Sequence, residues 1–140
     1  MAGTAVQQGP WGGANGAVFD MHPQPIILGF TVWADSQYIN GIQFQYGQGS
    51  STSVYGTRRG TPTTVTFQPG EFLNGIEGSI DKIVGAYVVC SLTFNTNTSN
   101  TYGPYGSVQG STFAFKSTAA IVGFFGRSAQ QLNAIGIYID

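Results

Sequence analysis

Apolar and polar residues alternate with a period of two in several stretches of this chain. The pattern is clean in GIQFQY (41–46), in VVCSLTF (88–94) and near the end, where Asn133, Ile135, Ile137 and Ile139 fall on one face. Period two marks a strand with one face on a core, because successive side chains leave a pleated backbone on opposite sides. No window of helical length repeats its apolar residues at i, i+3 and i+4. Twenty-one glycines, among many Thr, Ser, Asn and Gln, punctuate the alternating stretches and predict short strands joined by tight turns. The expectation is an all-β fold with almost no helix.

Length and charge narrow the function. At 140 residues, with no linker-like stretch or shift of composition, the chain predicts a single domain over 1–140 with a sizeable core. Five Lys and Arg stand against six Asp and Glu, which leaves no electrostatic footprint for nucleic acid or an anionic membrane. The segment MAGTAVQQGPWGG lacks the basic-then-apolar order of a secretion signal, and no apolar run approaches membrane-spanning length. A soluble protein without membrane insertion is expected, with cytoplasmic and secreted settings both open. Asn97-Thr98-Ser99 is a formal glycosylation sequon. The single Cys90 cannot form an internal disulfide and shares a face with Val88, Leu92 and Phe94, which predicts a small buried hydrophobe.

The inventory for catalysis is thin. The one histidine, His22, lies in DMHPQP, and nothing near it resembles a nucleophile elbow or a Cys/His signature. Asp20, Asp35, Glu71, Glu77, Asp81 and Asp140 could supply a glycosidase pair only by arithmetic, since no two share one loop. One Cys and one His cannot make a zinc site, and no run of alternating acids suggests a calcium loop. No enzyme, metal or cofactor is expected.

Internal repetition is more informative. SQYINGI (36–42) matches AQQLNAI (129–135) as small residue, Gln, any, aliphatic, Asn, small, Ile, and EGSIDKI (77–83) is a looser copy with Asp81 at the Asn position. Three glycine-rich loops accompany them: GPWGGANG (9–16), YGTRRG (55–60) and YGPYGSVQG (102–110). Glycine at this density permits positive φ and lets a ligand approach backbone without meeting a β-carbon, although hairpin turns also use it. Two series of three suggest a pseudo-threefold architecture.

GPWGG near the start, SLTFNTN followed by TYGPYG, and IVGFFGRSAQQLNAIGIYI at the end, in this order, resemble the jacalin-related lectins over about 9–139. The resemblance implies a β-prism I of three four-stranded antiparallel Greek-key sheets around a pseudo-threefold axis. It also implies metal-independent binding of mannose- or glucose-type units of glycans. Continuity through GPWGGANGAVFD points to this branch rather than the galactose-preferring one, in which cleavage frees an amine equivalent to that of Gly16. In the family the last loop reads Gly, three residues, Asp; the carboxylate accepts sugar hydroxyls, backbone amides donate, and the N-terminal glycine loop closes the other side. Carried onto this chain, the site is Ala129, Gln130, Gln131, Leu132 and Asn133 facing Gly12, Gly13 and Gly16. Ala129 replaces the glycine and Asn133 the aspartate. The amide exchanges one acceptor for a donor and removes the charge, so weaker or altered specificity is expected.

By the same resemblance, a second site would pair Ser36, Gln37, Tyr38 and Asn40 with Gly60 of YGTRRG. A third would pair Gly78, Ser79, Ile80 and Asp81 with YGPYG, with Tyr38 and Tyr105 offering rings or hydroxyls. Plainer readings stand beside these: Asp81 as a solvated charge next to Lys82, and Asn40 and Asn133 as turn formers. One sugar in so open a site binds weakly, so a homodimer or higher oligomer is the expected working form. The alternative is a β-prism interaction or matrix-building module whose sugar sites have weakened.

Overall fold

A computed structural model describes residues 5–140. The strands are β1 (Val6–Gly12), β2 (Ala17–Asp20), β3 (Ile27–Ala34), β4 (Ile39–Tyr46), β5 (Ser50–Ser51), β6 (Tyr55–Gly56) and β7 (Thr61–Thr66). They continue as β8 (Leu73–Ile83), β9 (Ala86–Thr96), β10 (Thr101–Gly106), β11 (Ser111–Lys116), β12 (Ile121–Ser128) and β13 (Leu132–Ile139). Among the described residues there is no helix.

The strands form three antiparallel sheets with one strand order. The first runs β1-β13-β12-β2, the second β10-β9-β8-β11, and the third β4-β3-β7 with its outer strand broken into β5 and β6, both paired with β4. Three consecutive hairpin-linked strands plus a fourth returning beside the first is a Greek key, as in β8 to β11. The first sheet has the same order but is assembled from both ends of the chain. This is the β-prism expected from the sequence.

Cross-strand register explains the shared core. Phe30 pairs with Phe44, Ile76 with Phe94, and Phe124 with Ile137, so each sheet delivers one matched pair to the axis, and all six side chains are fully buried. Phe44 stacks on Phe124 at 4.1 Å, and Phe30 meets Phe94 at 4.5 Å. Burial of such side chains contributes roughly 2–3 kcal/mol each. Two sheet-to-sheet seams are closed by stacked rings, Trp11 on Phe113 at 4.8 Å and Phe19 on Tyr55 at 4.1 Å.

Strand β13 departs from the half-buried pattern its alternation suggests: every residue is buried. It lies between β1 and β12, and Phe125 covers its outer face over Gly136, where a β-carbon would collide with the Phe125 ring. Cys90 is free and fully buried, and burial pushes its thiol pKa up.

Candidate functional site

The two glycine series acquire a structural meaning at one end of the prism. Gly12, Gly56 and Gly106 have positive φ at the ends of β1, β6 and β10. The next amide in each case, of Gly13, Thr57 and Ser107, donates to the carbonyl of Asn133 (3.1 Å), Asn40 (2.9 Å) and Cys90 (2.9 Å). Asn133, Asn40 and Cys90 therefore occupy equivalent places on β13, β4 and β9. The last glycines of the loops, Gly16, Gly60 and Gly110, also have positive φ, between 75° and 88°. A β-carbon on Gly16 would lie 2.8 Å from Asn133 Oδ1, one on Gly60 3.2 Å from Asn40 Nδ2, and one on Gly110 2.8 Å from Asp81 Cβ.

The SQYINGI and AQQLNAI copies are thus superposable units, but EGSIDKI is not their third. Its residues lie on β8, and β8 and β9 run on as a hairpin to Ile83 and Ala86, past the level where the other sheets turn. The topological counterpart is VCSLTF, with Cys90 where the others carry Asn. Asp81 still reaches Gly110, not YGPYG. Ser79 is fully buried, its hydroxyl 2.6 Å from that of Ser91 and accepting from the Gln109 amide, so its side chain cannot meet a sugar from solvent. Ile80 is half-buried in the hairpin, and Asp81 Oδ1 accepts from the Lys82 amide. Tyr105 is half-buried at the seam position that Trp11 and Tyr55 hold in the other sheets and meets Phe30 edge-on at 6.2 Å, so part of its ring is taken up by packing.

The β12–β13 loop is open and organised. Gly16, Ala129 and Gln130 are exposed and Gln131 is half-buried. The Ala129 amide donates to the Gln131 carbonyl, while the Gln130 and Gln131 amides donate to no group among the described residues. Arg127 Nη1 holds the Gly16 carbonyl at 3.0 Å. Asn133 is only 4% exposed; its Nδ2 donates to the Tyr87 carbonyl at 2.9 Å, and its Oδ1 is buried without a donor. An unsatisfied buried acceptor costs about 1–3 kcal/mol, which a hydroxyl donor would relieve.

The β3–β4 loop is closed from within. Asp35 Oδ1 accepts from the amides of Gln37 (2.7 Å) and Tyr38 (3.1 Å), and its Oδ2 from Asn40 Nδ2 (3.1 Å), which also donates to the Arg59 carbonyl. Burial pushes the Asp35 carboxyl up, but hydrogen bonds from Asn40, Gln37 and Tyr38 and the nearby Arg59 outweigh it and hold its pKa below the usual value. Ser36 is exposed beside this closed turn and Tyr38 half-buried. The donors free at Gln130 and Gln131 are consumed at Gln37 and Tyr38.

Three side chains lock these loops to one another: Thr57 Oγ1 donates to the Gln130 carbonyl (2.9 Å), Gln109 Nε2 to the Gln37 carbonyl (2.8 Å), and Asn133 Nδ2 to Tyr87. Tyr87, Thr57 and Arg127 are absent from the sequence-based site. Arg127, within FFGRS beside the loop, and Thr57, within YGTRRG, carried a local signal, and Tyr87 carried none. Tyr87 is exposed on the hairpin and packs its β-carbon against Gly13, forming a wall over the open loop.

The sequence profile of the jacalin-like lectin domain matches residues 8–138. The chain belongs to the jacalin-like lectin family. Residues 8–138 are therefore a jacalin-like lectin domain. Horcolin of Hordeum vulgare is 33% identical to this lectin over 141 residues, with 96% of each chain covered. A mannose/glucose-specific lectin of Parkia platycephala is 30% identical over 144 residues, covering 96% of this lectin and 32% of that protein. The chain thus spans about a third of that relative, and 45% and 20% of jacalin-related lectin 33 and myrosinase-binding protein 2 of Arabidopsis thaliana. Wild-type Malaysian banana lectin has a TM-score of 0.90 at 31% identity, covering 98% of this lectin and 99% of that chain. Artocarpin in complex with mannotriose has a TM-score of 0.91 at 29% identity, with 99% of both chains covered. Among the described residues no helix is long and apolar enough to cross a membrane, and no three His, Cys, Asp or Glu group together as metal ligands.

Proposed function

We propose that this lectin binds a mannose- or glucose-type unit of a glycan in the β12–β13 loop, against Gly12, Gly13 and Gly16. The observation that carries this reading is the pair of unclaimed amides on Gln130 and Gln131 beside the donorless Oδ1 of Asn133 and the exposed Gly16. A hexose has hydroxyls that both donate and accept, so it can take the two amides and offer a proton to Asn133. Gly16 supplies access, Ala129 keeps the loop small, and Tyr87 borders the next unit of a longer glycan. Recognition by these groups needs no metal. The mannotriose complex of artocarpin and the mannose/glucose specificity of the Parkia lectin support the choice of sugar.

One loop does this work in each chain, because Asp35 fills the equivalent donors of the second. Affinity for one sugar is of millimolar order, about 4 kcal/mol, and a dimer or larger assembly raises the working affinity through multivalency.

Titration with methyl α-mannoside in chelator, read by amide NMR, tests this. Shifts at Gly16 and Gln130–Asn133 with one equivalent bound are expected, and Asp35→Ala is expected to add shifts at Gln37 and Tyr38. No shifts at tens of millimolar sugar would reject the reading. That result would favour a module working through its surface alone, for which the burial of Asn133 under Tyr87 already speaks.

A further inference from the structure

The outer face of the β8–β9 sheet carries a second polar hollow at the end opposite the lectin loops. One cross-strand row crosses its floor: Lys116 on β11 pairs with Gly75 on β8, Gly75 with Asn95 on β9, and Asn95 with Thr101 on β10. Gly75 leaves the row open in the middle, since a β-carbon there would sit 3.3 Å from Asn95 Nδ2. The resulting cavity holds about 240 Å³ and is lined by Asn74, Asn95, Asn100, Thr101 and Lys116 among others.

Its groups are oriented before any ligand arrives. Thr101 Oγ1 donates to Asn95 Oδ1 at 3.1 Å, which leaves Asn95 Nδ2 as a directed donor with no partner among the described residues. Asn100 Nδ2 is fixed on the Glu71 carboxylate at 2.9 Å. Asn74 Oδ1 is buried with no donor. Lys116 forms no ion pair among the described residues and is the one charged group on the lining.

We infer that this hollow is a second saccharide site, for an acidic sugar unit such as a uronate. The orphan acceptor Asn74 Oδ1 calls for a hydroxyl proton, which a bare anion cannot give. The unpaired ammonium of Lys116 calls for a carboxylate, which a neutral sugar lacks. A uronate carries both on a ring small enough for the cavity. From Gly75 to the hairpin tip at Val84, nine strand residues separate the two ends by roughly 30 Å. A single chain then holds a neutral glycan at one end and an acidic one at the other.

The test is amide NMR of the whole chain titrated in parallel with sodium glucuronate, glucose and inorganic phosphate. Glucuronate is expected to shift the Asn95 side-chain amide and the Asn74, Gly75 and Thr101 backbone at millimolar concentration. Binding is expected to be at least fivefold weaker with glucose, with phosphate, and in Lys116→Ala, an exposed change that leaves the fold intact. Gly75→Ala, which fills the floor, is expected to abolish the shifts. Equal binding of glucose would remove the role of Lys116, equal binding of phosphate would remove that of the hydroxyls, and no difference in Lys116→Ala would place the ligand elsewhere; each overturns the proposal. Methyl α-mannoside added to the same samples reports on the β12–β13 loop alone, so either site can fail without the other.

Discussion

Asp35 and Asn40 are a matched pair: the carboxylate accepts from the side-chain amide at 3.1 Å while its other oxygen caps two backbone amides of the same loop. This reverses the meaning of Asn40. By its alignment with Asn133 in the sequence it stands at the family's aspartate position; in the fold it is the donor that Asp35 requires. Asn40 is 2% exposed and also donates to the Arg59 carbonyl. Asn40→Asp would therefore set a buried carboxylate against a second carboxylate and a carbonyl oxygen. A loss of roughly 2–4 kcal/mol is expected, with no gain of mannose binding at Gln37 and Tyr38. Urea unfolding together with the NMR titration checks both halves.

Asn133→Asp gives the opposite balance. Its Oδ1 already lies beside Gly16, so a carboxylate there offers charge-assisted hydrogen bonds to sugar hydroxyls, about twice as strong as neutral ones. The same change replaces the donor to Tyr87 with an acceptor. Tighter mannose binding with a stability cost of about 1–3 kcal/mol is expected, seen as a lower dissociation constant and a lower urea midpoint in one variant.

The hairpin tip makes a separate prediction. Val84 has φ of 48° and Gly85 of 85°, a two-residue turn with both central residues in the left-handed region, and Val84 is fully exposed. A β-branched residue is strained there, whereas Asn before Gly is favoured. Val84→Asn is expected to stabilise the lectin by about 1 kcal/mol, and a thermal melt should show a rise of a few degrees. Unchanged or lower stability would show that the Val84 turn carries no strain.

What the sequence reveals follows from which interactions are local. Alternation in GIQFQY and VVCSLTF, with dense glycine, determines strands and turns because pleat and positive φ act within a few residues. The superposition of Gly16, Gly60 and Gly110 was legible for the same reason: each ends a loop that must pass close to backbone. Two features were hidden. The extension of β8 and β9 to Ile83 and Ala86 carries Asp81 into a strand and makes EGSIDKI a false repeat, since strand length depends on pairing across the turn. The capture of the Gln37 and Tyr38 amides by Asp35 depends on a loop one residue longer than its counterpart, which the aligned SQYIN and AQQLN segments did not include.

Glu71, read from the sequence only as one carboxylate among six, is expected to make the fold sensitive to acid. It is buried; Oε1 accepts from the Gln68 amide, and Oε2 receives Asn100 Nδ2, Thr96 Oγ1, Thr98 Oγ1 and Tyr102 Oη between 2.8 and 3.1 Å. Burial pushes its pKa up, but hydrogen bonds from Asn100, the Gln68 amide, Thr96 and Tyr102 prevail and bring it down to about 2 from an ordinary 4.5. A carboxyl with a depressed folded pKa stabilises the fold fully above its unfolded value, and that stability is lost as pH falls through the folded one. The window is therefore pH 4.5 to 2, and the loss across it is about 3 kcal/mol. Because Asn100 and Thr96 also line the acidic-sugar hollow, that site should loosen over the same range. Urea midpoints measured from pH 6 to pH 2 should fall steeply below 4.5. In Glu71→Gln, the starting midpoint should be lower and the fall much shallower; a wild-type slope in that variant would assign the acid sensitivity to other carboxylates.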